Sequence, residues 1–165
     1  MMQKLILMTT FLFAVNSIVS AKGNRHFSHT VVTAASRQDL WQVWTDVDNW
    51  HKWDSGLRKA TIYGEFKTGT KGELIPDKGP SARFVITEVY SDSSYVFKTK
   101  IPLGWLVIKR FMQDKSGQLY FTHDVKFKGL LSPLWAVLLG KRYRKMLPVV
   151  MEEIRKIAEA KTTKS

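Results

Sequence analysis

The sequence predicts one α+β domain in which an antiparallel sheet curves around a long C-terminal helix. Two observations carry this prediction. The middle of the chain consists of short β-rich runs separated by Gly, Pro, Asp and Ser, as is typical of an antiparallel meander. The last segment instead repeats its apolar residues at helical spacing. Because the helix and the sheet each have an apolar face to bury, we expect the two faces to pack against each other.

The first 21 residues are typical of a cleavable secretory signal. Lys4 supplies the positive charge, residues 5–15 form the apolar run, and a stretch of small residues ends at Ala21. We therefore expect a signal peptide over 1–21, a single domain over 22–165 with a polar tail from about 161, and a periplasmic or secreted location. The alternative is an N-terminal segment that stays uncleaved as a membrane anchor.

Composition limits the function classes that remain. The chain has no Cys, which excludes disulfides, thiolate metal sites and a Cys nucleophile. Its six Trp and nine Phe can supply a large core without disulfides. The formal charge of +12 favours anionic partners or simply keeps the domain soluble. Export and the lack of a recognition motif argue against nucleic acid, and we expect a monomer.

The elements can be predicted in order. An opening strand is expected near 29–35, followed by a helix that Ser36 can cap. Asp39 lies three residues after Ser36, where its carboxylate can reach back to the backbone N–H of the capping residue. Helical spacing in that helix is shown by Leu40, Trp41, Val43, Trp44 and Val47. A short helical or turn-like piece follows over 48–54.

Six further β-rich runs bring the predicted number of strands to seven. They cover residues 57–63, 71–76, 82–90, 93–101, 104–113 and 118–127.

The C-terminal helix is predicted from one apolar stripe. Pro148 lies inside this pattern, so we expect a kink or a break there. The stripe consists of Leu139, Tyr143, Met146, Leu147, Val150, Ile154 and Ile157.

The order of these features resembles the polyketide cyclase/dehydrase family of the START-like (SRPBCC) superfamily. The most specific match is LWQVWTDVDNWHKWD at 40–54, followed by FKTGTKG at 66–72, FVITEV at 84–89, THDVKFKG at 122–129 and the Leu-Pro pair at 147–148. The resemblance extends over about 27–160. It implies a helix-grip fold around a hydrophobic cavity, but not one activity, since family members include cyclases and lipid carriers.

His123 is the main candidate for chemistry inside such a cavity. On its strand it shares one face with Leu119, Phe121, Val125 and Phe127, so it should point inward. A buried imidazole can transfer protons, but it more often makes a hydrogen bond in the core or to a ligand.

Other polar groups offer weaker candidates. Glu88 could pair with His123 if its strand alternates cleanly, but a solvent-facing Glu88 is the favoured alternative. Asp46, Asp48 and Asp54 are explained by helix capping, and the remaining histidines lack zinc-ligand spacing. We therefore expect no metal and no cofactor.

The residues predicted to line the cavity are mostly aromatic. Trp50 and Trp53 are expected to close one end, although such a Trp cluster is more often plain core. The full predicted set is Trp44, Trp50, Trp53, Phe84, Tyr95, Phe97, Phe121, His123, Val125, Met146 and Val150.

The segment 129–140 is unusually apolar and is followed at once by a basic cluster. This order suits contact with an anionic membrane, with Trp135 at the interface. The favoured alternative is a buried helix start followed by a solvated charged face. The basic cluster consists of Lys141, Arg142, Arg144 and Lys145.

Three functions remain open from the sequence. The leading hypothesis is an exported binding protein that encloses a hydrophobic small molecule or lipid. The second is a cyclase- or dehydratase-type enzyme acting on a polyketide-like or aromatic substrate through His123 or a Tyr. The third is an interaction protein at the membrane surface.

Overall fold

The computed structural model describes residues 25–164, so the predicted signal peptide at 1–21 lies outside the described residues. The strands are β1 His26–Thr33, β2 Leu57–Ile62, β3 Lys71–Pro76, β4 Ala82–Tyr90, β5 Ser94–Ile101, β6 Gly104–Lys115 and β7 Gln118–Gly129. The helices are α1 Arg37–Thr45, a 3-10 helix Val47–Lys52, α2 Ser132–Leu138 and α3 Gly140–Thr162.

The strands form one seven-stranded antiparallel sheet in the order β1-β7-β6-β5-β4-β3-β2. Strands β2 to β7 follow each other as a meander, and β1 pairs with β7 at the far edge. The β6–β7 turn passes through Ser116 and Gly117, both at positive φ, which is the backbone that a tight hairpin requires. The predicted helix-grip architecture is confirmed, with a short α-helix and a 3-10 helix between the first two strands.

The beginning of α1 is tied to the end of α3. The Ser36 hydroxyl accepts a hydrogen bond from the backbone N–H of Asp39 at 3.0 Å, which is the predicted N-cap. The Asp39 carboxylate accepts from the hydroxyl of Thr162 at 2.6 Å. These hydrogen bonds hold the first turn of α1 against the last turn of α3.

The predicted apolar stripe of α3 faces the sheet. Leu147, Val150 and Ile154 are buried. A kink or a break was predicted at Pro148, and the structure shows no break: α3 runs without interruption from Gly140 to Thr162. Pro148 lies on the exposed side of α3. The packed stripe on the other side therefore holds the helix in place both before and after the proline.

The apolar segment 129–140 differs from the favoured expectation. It does not begin a buried long helix but forms a separate short helix, α2. On α2, Ser132 and Ala136 are buried, whereas Leu134, Val137 and Leu138 are exposed. A helix this short can direct only one narrow side toward the protein, so its other apolar residues face solvent. No helix within residues 25–164 is long and apolar enough to cross a membrane.

Candidate functional site

The centre of the inner sheet face carries three polar side chains on adjacent strands. The strand register places Tyr95 of β5 opposite Arg110 of β6, and Arg110 opposite His123 of β7. Arg110 follows Leu106 and Ile108 in the inward-facing row of β6, and all three are buried. Arg110 was not among the residues predicted from the sequence. The sequence signal for it is period-two alternation, which places Arg110 on the same strand face as Leu106, Ile108 and Met112.

The guanidinium of Arg110 lies among four aromatic rings, here named the arginine cage. Only 2% of Arg110 is exposed. Its Cζ atom lies 4.7 Å from the ring centroid of Trp53, 5.0 Å from Trp50, 5.6 Å from Tyr95 and 5.9 Å from Phe97. Each ring presents π electrons to the cation, which offsets part of the cost of removing the charge from water.

Arg110 donates its hydrogen bonds to neutral groups. Nε donates to Nδ1 of His123 at 3.4 Å, and Nη1 donates to the phenol oxygen of Tyr95. Within residues 25–164, no Asp or Glu forms an ion pair with Arg110. A buried guanidinium without a carboxylate beside it is uncommon, because the charge keeps much of its desolvation cost.

Asp54 has a carboxyl group that interacts electrostatically with the charge of Arg110. Burial raises the pKa of Asp54, and a hydrogen bond from the backbone N–H of Gly56 and the positive charges of Arg110 and Arg142 oppose that rise. The Gly56 hydrogen bond to Oδ1 measures 2.9 Å. Asp54 is thus engaged with its own loop and balances Arg110 only through space.

His123 is buried and points inward, as predicted. Burial and the charge of Arg110 hold the pKa of His123 well below its ordinary value, so the imidazole is neutral at pH 7. Because Nδ1 accepts from Arg110, the single ring proton lies on Nε2. Among the described residues, Nε2 has no hydrogen-bond partner. His123 therefore offers an unused donor to the interior.

The hypothetical acid/base pair of His123 and Glu88 does not form. A bulge between Ile86 and Glu88 interrupts the alternation of β4 and leaves Glu88 exposed. Glu88 is therefore solvent-facing, as the favoured alternative held. The Nδ1 lone pair of His123, which a general base would use, is engaged by Arg110.

Two further buried polar atoms lack a partner among the described residues. They are the hydroxyl oxygen of Thr99 and the indole Nε1 of Trp44. Burial raises the pKa of Tyr95 to about 12, with Arg110 opposing the rise, so Tyr95 keeps its phenolic proton at neutral pH. The polar atoms of the interior are therefore mainly hydrogen-bond donors.

The aromatic residues predicted to line a cavity contact one another between the sheet and the helices. Trp50 lies 5.4 Å from Phe97, 5.7 Å from Trp53 and 5.9 Å from Phe84, measured between ring centroids. Every residue of the predicted set is buried except Met146, which is partly buried. The rings occupy the space between sheet and helix, so a ligand there has to move side chains rather than enter an open channel.

Two open grooves of the described surface lie away from the arginine cage. One, of about 630 Å³, is lined by ion-paired side chains such as Arg155 and Glu159. The other, of about 490 Å³, lies on the outer sheet face beside Lys98 and Trp105. Size alone would favour the first groove. The buried polar atoms that lack a partner among the described residues, and the only partly balanced charge of Arg110, lie in the core, however, and we place the candidate site there.

A cluster of exposed apolar residues marks one end of the domain and is here named the apolar pole. The indole Nε1 of Trp135 donates to the carbonyl oxygen of Pro102 at 2.9 Å and thereby holds α2 against the β5–β6 turn. The apolar pole consists of Leu103, Leu130, Leu134, Val137 and Leu138, each at least 47% exposed.

Cations lie on two sides of the apolar pole. Lys100 and Lys128 flank Trp105 in the strand register, and Lys100 and Lys128 are exposed. Lys141, Arg142 and Lys145 follow α2 and are also exposed. Arg144, the fourth member of the predicted basic cluster, instead packs over the ring of Phe27 at 4.5 Å.

Within residues 25–164, no three His, Asp or Glu side chains converge as metal ligands.

The chain matches no family model and no curated protein sequence. It is similar to solved structures at low identity. A hypothetical protein from Helicobacter pylori aligns at TM-score 0.69 and 9% identity, over 82% of this chain and 88% of that one. The di-domain ARO/CYC StfQ of the steffimycin biosynthetic pathway aligns at TM-score 0.64 and 12% identity, over 85% and 51%. Norcoclaurine synthase from Thalictrum flavum aligns at TM-score 0.61 and 15% identity, over 80% and 84%.

These similarities show the fold alone, which is a helix-grip fold. The resemblance inferred from the sequence is confirmed at that level.

Proposed function

We propose that this helix-grip domain binds an apolar small molecule or lipid between the sheet and α3, in contact with the arginine cage. The observation that carries the proposal is the buried N–H of His123, which has no partner among the described residues although the surrounding core is apolar. A buried donor that lacks an acceptor costs roughly 1–3 kcal/mol, so a ligand with one acceptor atom gains that amount when it binds there.

The aromatic core suits this role physically. Burying an apolar ligand contributes roughly 25 cal/mol for each Å² removed from water. Ring faces such as those of Trp50 and Phe97 add edge or stacking contacts with an unsaturated ligand. The ligand therefore binds by desolvation, and the few polar atoms of the interior orient it.

An enzyme of the cyclase or dehydratase type is the alternative, which the similarity to the ARO/CYC protein StfQ suggests. Such an enzyme would move protons through His123 or a tyrosine. The geometry favours binding instead, because burial and the charge of Arg110 lower the pKa of His123, and Arg110 engages its Nδ1 atom. Glu88 is exposed and cannot assist.

Native mass spectrometry of the protein purified from its own host tests the proposal. We expect a non-covalent adduct that disappears on denaturation, and saturable binding of the fluorescent apolar probe N-phenyl-1-naphthylamine to protein freed of that adduct. The variant Val150→Phe, which places a larger side chain in the same core cluster, should weaken probe binding, and circular dichroism checks that the variant is folded. The proposal fails if the polypeptide carries no adduct and the probe does not saturate.

Export to the periplasm or medium remains part of the proposal. It is supported by the positive, apolar and small-residue regions of segment 1–21. N-terminal sequencing of the protein recovered outside the cytoplasm should begin at Lys22. A first residue of Met1 would favour the uncleaved anchor.

A second candidate function is contact with an anionic bilayer through the apolar pole. The favouring observation is that Leu134, Val137 and Leu138 are exposed on α2 and that cations lie on both sides of them. Apolar side chains can enter the acyl boundary while nearby lysines meet anionic headgroups, each contributing about 1 kcal/mol.

Vesicle flotation with phosphatidylcholine alone and with added phosphatidylglycerol tests this contact. Val137→Glu should reduce flotation with the anionic vesicles. Val32→Glu is the matched control, because Val32 is 42% exposed and pairs with Tyr120 near the opposite end of β7. Equal flotation of the two variants would reject the apolar pole as the contact site.

A further inference from the structure

Arg110 is a buried charged side chain that forms no ion pair within residues 25–164. It is 2% exposed, its cage is aromatic, and its hydrogen bonds to Tyr95 and His123 go to a phenol and a neutral imidazole. A guanidinium has five N–H donors, and these two bonds use two of them.

We propose that the bound ligand is an amphipathic anion, with an apolar body in the aromatic core and a carboxylate or similar oxyanion group paired with Arg110. This proposal rests on the proposed function, because it names the chemical class of the ligand in that same site. It makes Arg110 a specificity-determining residue.

The donor set distinguishes an anion from other ligands. The planar fork of a guanidinium matches the two oxygens of a carboxylate, and such charge-assisted hydrogen bonds are roughly twice as strong as neutral ones. The unpartnered N–H of His123 lies on the strand next to Arg110 and offers a further donor. A cationic ligand would instead meet the positive charge of Arg110 in a medium that screens it poorly.

The nearby carboxyl group does not already fill this role. Asp54 forms no ion pair with Arg110 and accepts from the backbone N–H of Gly56 instead. The negative charge of Asp54 also interacts with the positive charge of Arg142. The positive charge of the cage is thus only partly balanced, and an anionic ligand completes the balance.

Binding of decanoate and decan-1-ol at pH 7.5 tests the proposal, because the two probes share one chain and differ in charge. Calorimetry and tryptophan fluorescence report binding, the latter through Trp50 and Trp53 of the cage. We expect the wild-type protein to bind decanoate about 10- to 100-fold more tightly than decanol, as one charge-assisted pair allows. Arg110→Gln should abolish that preference and leave decanol binding within about threefold, while Arg110→Lys should retain part of it.

Lys98→Gln is the matched control, since it removes a cation on the outer sheet face, where Lys98 lies over Trp105. Circular dichroism confirms folding of each variant, and Arg110→Met provides a second uncharged replacement if the glutamine variant does not fold. Equal binding of both probes by the wild-type protein overturns the proposal, as does a decanoate preference that survives in Arg110→Gln or vanishes in Lys98→Gln. If both probes bind equally, the apolar site stands without an anion subsite; if neither binds, the proposed function fails as well.

Discussion

Replacing His123 with Gln should make the domain less sensitive to mild acid. His123 is buried beside Arg110, and both burial and the guanidinium charge lower the pKa of its imidazole. In the unfolded chain the same imidazole has its ordinary value near 6.5. The unfolded state therefore takes up a proton first as the pH falls, and the free energy of unfolding decreases.

The size of the effect follows from the shift. A group whose folded pKa lies well below 6.5 costs about 1.4 kcal/mol of stability for each pH unit below that value, until the folded pKa is reached. Between pH 7.5 and pH 5.0, the loss from His123 alone amounts to at most about 2 kcal/mol, which is reached when the folded imidazole stays neutral over the whole range. The amide of Gln can still accept from Nε of Arg110, but it does not titrate.

Urea denaturation of both proteins from pH 5.0 to 7.5 measures this contribution. The free energy of unfolding of the wild-type protein relative to His123→Gln should fall by up to about 2 kcal/mol across the range. Asp54 acts with the opposite sign, because its raised pKa lets the folded state bind a proton more readily. The difference between the two proteins cancels that contribution. Parallel pH profiles would refute the assignment of a neutral, buried His123.

Three further predictions concern the packing that supports the site. Gly72→Ala should lower the free energy of unfolding by about 1–3 kcal/mol in urea, because the new Cβ would stand 2.3 Å from Cζ of Phe84. Ile154→Ala, at a fully buried position of α3, should cost about 2–5 kcal/mol in the same assay, and a loss below 1 kcal/mol would contradict its burial. Ser36→Ala removes the hydroxyl that accepts from the N–H of Asp39, and a thermal melt should show a loss of about 1 kcal/mol that Ser36→Asn does not share.

The strand boundaries were largely predictable from the sequence. The predicted runs 71–76 and 82–90 coincide with β3 and β4. Other boundaries differ from the prediction by a few residues. The opening strand, for example, was predicted near 29–35 and covers His26–Thr33. Period-two alternation between turn residues is a local property, so it needs no knowledge of the rest of the chain.

Other features were not predictable because they depend on the environment. Pro148 predicted a kink or a break, but α3 is not broken, because packing of the stripe holds it together on both sides of the proline. The apolar residues of α2 predicted burial, yet the helix is too short and too peripheral to bury Leu134 and Val137. Local hydrophobicity does not say which apolar residues find space in the core.

In the candidate site, the sequence determined some features and the tertiary structure determined others. Alternation along β7 by itself determined that His123 faces inward, and the Trp-rich segment 40–54 with the stripe of α3 determined the aromatic core and the fold. Only the tertiary structure decided that Tyr95, Arg110 and His123 are neighbours, because that depends on the register between three strands. It also decided that His123 is neutral and that Arg110 forms no ion pair with a carboxylate of residues 25–164, since desolvation and pairing arise only when distant segments close around a charge.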